Sequence, residues 1–175
     1  MRAMSVRVVP HDPQWRLSYE REARALALTL GDELVAAHHI GSTAVAGIAA
    51  KPIIDLLLEV RSLAALDAAN DLLRDLGYEP MGEYGLAGRR CFRKLTGDGV
   101  RTHHVHAYEH GNDELHRHLV FRDCLLAHPV RAQEYSGLKQ HLARTFANDS
   151  EGYVAGKDAF VRALEAQALA WRPAR

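Results

Sequence analysis

The segment Ile53-Ile54-Asp55-Leu56-Leu57-Leu58-Glu59-Val60 constrains this chain more than any other. Its apolar run is nearly continuous, the signature of a central strand covered on both faces. Lys51-Pro52 leads into it and sets the backbone to an extended form. One carboxylate, Asp55, interrupts it near its start.

The flanking pattern supplies the cover. Trp15, Leu17, Tyr19, Ala23, Leu26 and Leu30 recur at helical spacing after Pro13, and Gly31 closes that helix. Leu34 to Ile40 reads as a strand broken by Gly41-Ser42, with small residues from Thr43 to Ala50 after it. Val6, Val8 and Val9 read as a short strand ended by Pro10. Ser62 is placed to cap a helix with the stripe Leu63, Leu66, Ala69, Leu72, Leu73 and Leu76, ended by Gly77. Strands are expected over about 78–84, 90–95 and 102–108, and Gly97-Asp98-Gly99 has hairpin chemistry. Past Asn112 the pattern is helical: about Asp113 to Ala127, a second helix opened by Pro129, and a third from about Glu151 to Trp171.

Mixed elements first and helices afterwards predict an α+β fold with a small mixed sheet. The 175 residues suit a single domain, with an α/β core over 1–110 and a helical part over 111–175.

Lys+Arg and Asp+Glu both number 22, giving a net charge of zero, which argues against non-specific binding to nucleic acid or anionic membrane. No stretch approaches the ~20 apolar residues of a membrane span. Met1-Arg2-Ala3-Met4 leads into no apolar segment, and Cys91 and Cys124 lie far apart without CxxC spacing. A cytoplasmic protein with buried, reduced thiols is expected. Only four of the 22 basic residues are lysines (Lys51, Lys94, Lys139 and Lys157), which singles out each of them.

Three constellations can carry chemistry. The first is Gly41-Ser42 with Lys51 and Asp55: a Gly-Ser turn offering a hydroxyl and free N–H groups to an anion, followed by an acid inside an apolar strand. The structural alternative for Asp55 is a helix cap or a buried arginine partner. Glu59 shares its face but lies ~13 Å away at ~3.3 Å per residue, too far to chelate the same ion.

The second is histidine density: His103, His104, His106, His110, His116 and His118. His104 and His106 face the same way with side chains ~6–7 Å apart, and His103 faces the other way. That pair suits a metal or a phosphate, or is a row of ordinary polar strand residues.

The third is Tyr-x-x-x-Lys, found at Tyr135 with Lys139 and at Tyr153 with Lys157. Residues four apart on a helix stack on one face, so each pair offers a ring beside an ammonium to a nucleotide, or a half-buried tyrosine with a snorkelling lysine. Arg122, beside Asp123, is either a fixed guanidinium for phosphate or half of a structural ion pair.

Markers of dinucleotide oxidoreductases, P-loop kinases, α/β hydrolases and zincins are absent from the sequence.

The stretch His39-Ile40-Gly41-Ser42-Thr43 through Lys51-Pro52-Ile53-Ile54-Asp55 resembles the signature of the GrpB family. The resemblance continues through Thr102-His103-His104-Val105-His106, Phe121-Arg122-Asp123, Tyr135 with Lys139, and Tyr153 with Lys157. It implies a nucleotidyltransferase-like fold of the polymerase-β type. In that pattern a Gly-Ser turn precedes a strand with two alternating carboxylates, a third acid stands on a neighbouring strand, and the acids hold two Mg²⁺ ions. Here the second position is Leu57, and the neighbouring strand offers His104 or His106. The resemblance also implies a link to CoA or nucleotide metabolism, since family members occur fused to a dephospho-CoA kinase.

Two readings follow. In one, the protein binds a nucleotide or phosphorylated small molecule and transfers a nucleotidyl group. Gly41, Ser42, Lys51, Arg122, Lys139 and Lys157 then contact phosphate, and Asp55, catalytic, shares a divalent metal (Mg²⁺, Mn²⁺ or Zn²⁺) with His104 and His106. In the other, it is a non-catalytic nucleotide- or CoA-precursor-binding module with a degenerate metal site.

Overall fold

The computed structural model describes residues 5–172; the expectation placed on Met1–Met4 lies outside them. Helix α1, Gln14–Leu30, buries Trp15, Leu26 and Leu30 and stops at Gly31, whose φ of +54° ends helical geometry. Strand β1, Leu34–Ile40, runs into the Gly41-Ser42 turn, and Ser42–Ala44 form one 3-10 turn. Strand β2 follows, Ile54–Val60.

Ser62 caps the next helix by accepting from the Ala65 N–H. The expected single helix is two, α2 at Leu63–Ala68 and α3 at Asn70–Asp75, because Ala69 leaves helical geometry with ψ near 5°. Strand β3, Tyr78–Pro80, is shorter than expected, ending at a residue with no N–H to continue the ladder. Strands β4, Arg90–Leu95, and β5, Arg101–Glu109, form the hairpin expected around Gly97-Asp98-Gly99. Val6–Val9 contribute only an isolated bridge, Val9 to Ala50, in place of the expected strand. The sheet already has its edge in β1, and Val6 packs instead against Leu142 and Tyr153.

The five strands lie in the order β1-β2-β5-β4-β3. β1 is antiparallel to β2, β2 is parallel to β5, and the remaining pairs are antiparallel, so the sheet is mixed and the fold is α+β. Alternation sends Ile54, Leu56, Leu58 and Val60 to one face, where they join Leu26, Leu66 and Leu73 from α1–α3. Each such buried side chain contributes roughly 1.5–3 kcal/mol relative to exposure.

The opposite face carries Asp55 and Leu57 and is covered by the C-terminal helices: α4, Asp113–Ala127; α5, Pro129–Thr145; and α6, Ser150–Trp171. Leu57 packs there with Ile40, Tyr108 and Leu115. A second cluster joins Val45 and Ile48 to Val120, Tyr135 and Leu164. The small-residue segment is therefore clamped between the sheet and the helices.

Candidate functional site

Strand register places Asp55 opposite Ile40 on one side and His104 on the other. The chain leaves β1 at the next residue, so the Gly41-Ser42 turn rises directly beside the Asp55 carboxyl. Gly41 has a φ of +72°, and a Cβ there would stand 2.7 Å from Asp55 Oδ2. Only glycine satisfies both the backbone angle and the approach.

Above this corner lies a pocket of about 480 Å³, counting its open mouth. Asp55, Ser42, Thr43 and His104 form its floor and one wall. Lys51 comes from the loop before β2, Lys139 from α5, and Tyr153 with Lys157 from α6. The site thus exists only when the helices close over the sheet face.

Three of the chain's four lysines converge here. Lys51 Nζ lies 4.4 Å from the centre of the Tyr153 ring, and Lys157 Nζ lies 5.1 Å from the same centre. Lys139 Nζ lies 4.5 Å from the Tyr135 ring centre, so both Tyr-x-x-x-Lys pairs are stacked as the spacing suggests. Lys139 is almost wholly buried and also donates to the Ala49 carbonyl, while the Ala49 N–H donates to Ser136 Oγ at 2.9 Å. Helix α5 therefore holds both polar groups of Ala49.

Burial lowers the pKa of all three ammonium groups. For Lys139, burial and then Lys157 bring it down to about 7. Burial is followed by Arg101 for Lys51 and by Lys51 for Lys157, Asp55 opposing in both.

Asp55 shows the mirror effect. Enclosure by protein pushes its carboxyl up to about 7 although Lys157, Arg101 and Lys51 all draw it down. Part of the side chain, 31%, is still reached from the pocket mouth. The one basic side chain within 4 Å of its carboxylate among the described residues is His104, whose Nδ1 lies 3.9 Å from Oδ1 and whose own pKa burial lowers to about 4, so the two do not form an ion pair.

Other residues singled out by sequence are elsewhere. His106 pairs with Leu57 in the parallel register, one alternation beyond Asp55, and does not line the pocket. Its Nδ1 lies 3.7 Å from Cys91 Sγ. Arg122 is also outside: Nη1 donates to the His39 carbonyl at 3.2 Å and Nε to Asp123 at 2.9 Å, so it ties α4 to β1. Glu59 is held by His38 and His110, each at 2.9 Å.

Sequence reading missed Arg101. Its Nε is buried without a hydrogen-bond partner among the described residues, and its charge acts on Asp55, Lys51 and His104. Arg101 lines a neighbouring groove with Arg7, Arg93 and Val100, and that groove shares Lys51 and Ile53 with the pocket. Its position just after the Gly97–Gly99 turn was the one signal available.

The donor set does not fit a pair of Mg²⁺ ions. Among the described residues Asp55 is the single carboxylate lining the pocket, and the amino groups of three lysines surround it. Leu57, at the second carboxylate position, is wholly buried beneath α4. Mg²⁺ needs oxygen donors, and adjoining positive charge opposes it.

Comparison with known proteins places the chain. The family described as GrpB protein matches residues 5–167. The UPF0157 protein YqkA of Bacillus subtilis (strain 168) is 44% identical over 170 residues, 97% of this chain and 49% of that protein. A dephospho-CoA kinase of Mycolicibacterium paratuberculosis is 31% identical over 198 residues, 96% of this chain and 48% of the kinase. The chain therefore spans about half the length of both of these relatives. The crystal structure of conserved protein GrpB from Enterococcus faecalis superposes with a TM-score of 0.90 at 41% identity, covering 94% of this chain and 98% of that one. A match over nearly the whole sequence, joined to the same fold, identifies this chain as a member of the GrpB family.

Proposed function

We propose that the pocket binds the phosphate of a nucleotide or another phosphorylated small molecule, with Lys51, Lys139 and Lys157 as its cationic clamp. Charge imbalance carries this reading: three ammonium groups from separate segments surround one carboxyl. Gathering like charges around half-buried ground is unfavourable unless an anion joins them. A phosphate compensates all three at once and accepts strong hydrogen bonds from each. Ser42 and the Gly41 turn stand on the wall beside it, and the groove lined by Arg7, Arg93 and Arg101 accommodates the remainder of the ligand.

Asp55 is the group suited to act on such a ligand. A carboxyl held at about 7 is in the range of a general base at neutral pH, which is what transfer to an acceptor hydroxyl requires. Nucleotidyl transfer is the catalytic form of the proposal. Leu57 favours the second form, a nucleotide- or CoA-precursor-binding module without turnover, because the position that would complete a metal pair is apolar core.

Calorimetric titration with ATP in the presence of a chelator tests the binding. The native chain should bind, and Lys157→Met should weaken binding about tenfold to a hundredfold, the range for one charged hydrogen bond. Absence of binding, or equal affinity in the variant, overturns the proposal. Pyrophosphate release from ATP with an added acceptor, lost in Asp55→Asn, separates the catalytic form from the binding module.

A further inference from the structure

We propose that Cys91, His104 and His106 form a binding site for a borderline-soft divalent metal, Zn²⁺ by the chemistry of its donors, beside the phosphate pocket and without Asp55 as a ligand. Register builds it. β4 and β5 pair antiparallel with Cys91 opposite His106 and Arg93 opposite His104, so the thiol and both imidazoles emerge on one sheet face. One donor atom from each of the three lies within 4.8 Å of the others.

One of the three donor spacings is already that of a bound ion. Zn–S near ~2.3 Å and Zn–N near ~2.0–2.1 Å at a tetrahedral angle put sulfur and nitrogen ~3.6 Å apart. Cys91 Sγ and His106 Nδ1 are 3.7 Å apart. The rings of His104 and His106 have centroids 4.5 Å apart, so the second imidazole stands beside the first on the same face. Cys91 is wholly buried, which holds the thiol in place. A thiolate and two imidazoles suit Zn²⁺ and exclude Mg²⁺, which demands oxygen.

The surroundings point the same way. Three protein donors leave one coordination position open, the arrangement of zinc sites that carry water or substrate. The Tyr108 hydroxyl, two residues along from His106 on the same face, is buried with no hydrogen-bond partner among the described residues. His118 on α4 packs over His106 with ring centroids 5.5 Å apart. A buried hydroxyl without a partner requires explanation, and a metal-bound water offers one. The other cysteine provides a contrast: Cys124 Sγ lies 3.6 Å from His128 Nδ1, but no third donor completes that pair among the described residues.

Titration of the metal-free, untagged full chain with Co²⁺ under anaerobic conditions tests the site. The native chain should take up one equivalent, with the intense visible bands of tetrahedral Co²⁺ and a sulfur-to-cobalt charge-transfer band, both bleached by Zn²⁺. Cys91→Ser should abolish the charge-transfer band and weaken Zn²⁺ binding by more than about tenfold, whereas Cys124→Ser should leave the spectrum unchanged. Lys157→Met, which disables only the phosphate clamp, should keep the native cobalt spectrum, so the two proposals fail separately. X-ray absorption of the Zn²⁺-loaded native chain, which needs no variant to fold, should show one sulfur and two imidazole nitrogens. An octahedral cobalt spectrum, a band that survives in Cys91→Ser or disappears in Cys124→Ser, or a sulfur-free zinc shell overturns the proposal.

Discussion

The backbone at Gly41 approaches the Asp55 carboxyl so closely that a methyl group on residue 41 would sit 2.7 Å from Oδ2 and 3.3 Å from the Asp55 Cβ. The turn and the acid are thus one unit, joined by the register that sets Ile40 against Asp55. Gly41→Ala adds a side chain at positive φ and a clash, and should cost about 1–3 kcal/mol of stability in urea unfolding. Asp55→Ala in the same chain should recover part of that loss, giving a coupling of at least ~0.5 kcal/mol. Strict additivity would mean that the approach carries no energy.

Proton linkage has a defined sign at each buried group. Burial, first among the causes, lowers His39 and His104 to about 4, His106 to about 3 and His118 to about 4, from 6.5. The unfolded chain then holds more of these protons between the folded and unfolded values, so this contribution to stability rises with pH up to about 6.5. Asp55 opposes it: raised from 3.8 to about 7, the folded carboxyl keeps its proton longer, and its contribution falls across that window. The stability of Asp55→Asn relative to native should therefore grow from pH 4 towards 7 and then level off. A difference that shrinks over this range would contradict the buried placement of Asp55.

Lys139 acts at the alkaline end. With its pKa lowered from 10.5 to about 7 in the ligand-free chain, it sheds its proton above pH 7 while the unfolded chain keeps that proton, so its contribution rises between those values; a bound phosphate would hold the proton on. Lys139→Met should remove that rise, as seen in unfolding midpoints measured across pH 7 to 10.5. An unchanged slope would mean that the ammonium is solvated.

Leu57→Asp looks from sequence like the repair of a missing carboxylate. The structure gives it a different outcome, because Leu57 lies in the cluster with Ile40, Tyr108 and Leu115 rather than in the pocket. An acid there takes a wholly buried apolar place in that cluster, with only the His38 and His106 imidazoles across the strands, and should destabilise the chain by about 1–3 kcal/mol. Mg²⁺ should bind no better than to native, which calorimetry and thermal unfolding together would show.

Arg122 separates positioning from binding. Its guanidinium is occupied by the His39 carbonyl and Asp123. Arg122→Met should lower stability by about 1–3 kcal/mol and leave ATP affinity unchanged. A large loss of affinity at unchanged stability would return Arg122 to the phosphate clamp.

The sequence alone determined most of the local elements, but not the break at Ala69, the short β3 or the lone bridge of Val9. The apolar run with Asp55 inside it became the interior strand β2, and helix α4 has the bounds expected from its periodicity. The break at Gly41 follows from a φ that only glycine readily adopts. His104 and His106 share a face because strand alternation is fixed by the backbone. Tertiary structure decided which neighbours those faces meet. The parallel pairing of β2 with β5 put His104, and not His106, beside Asp55, while the β4–β5 register brought Cys91 to His106. Closure of α5 and α6 carried Lys139 and Lys157 to Lys51 from far along the chain. A one-residue change in strand register would exchange the cross-strand partners of Asp55 and His106 without altering any local pattern.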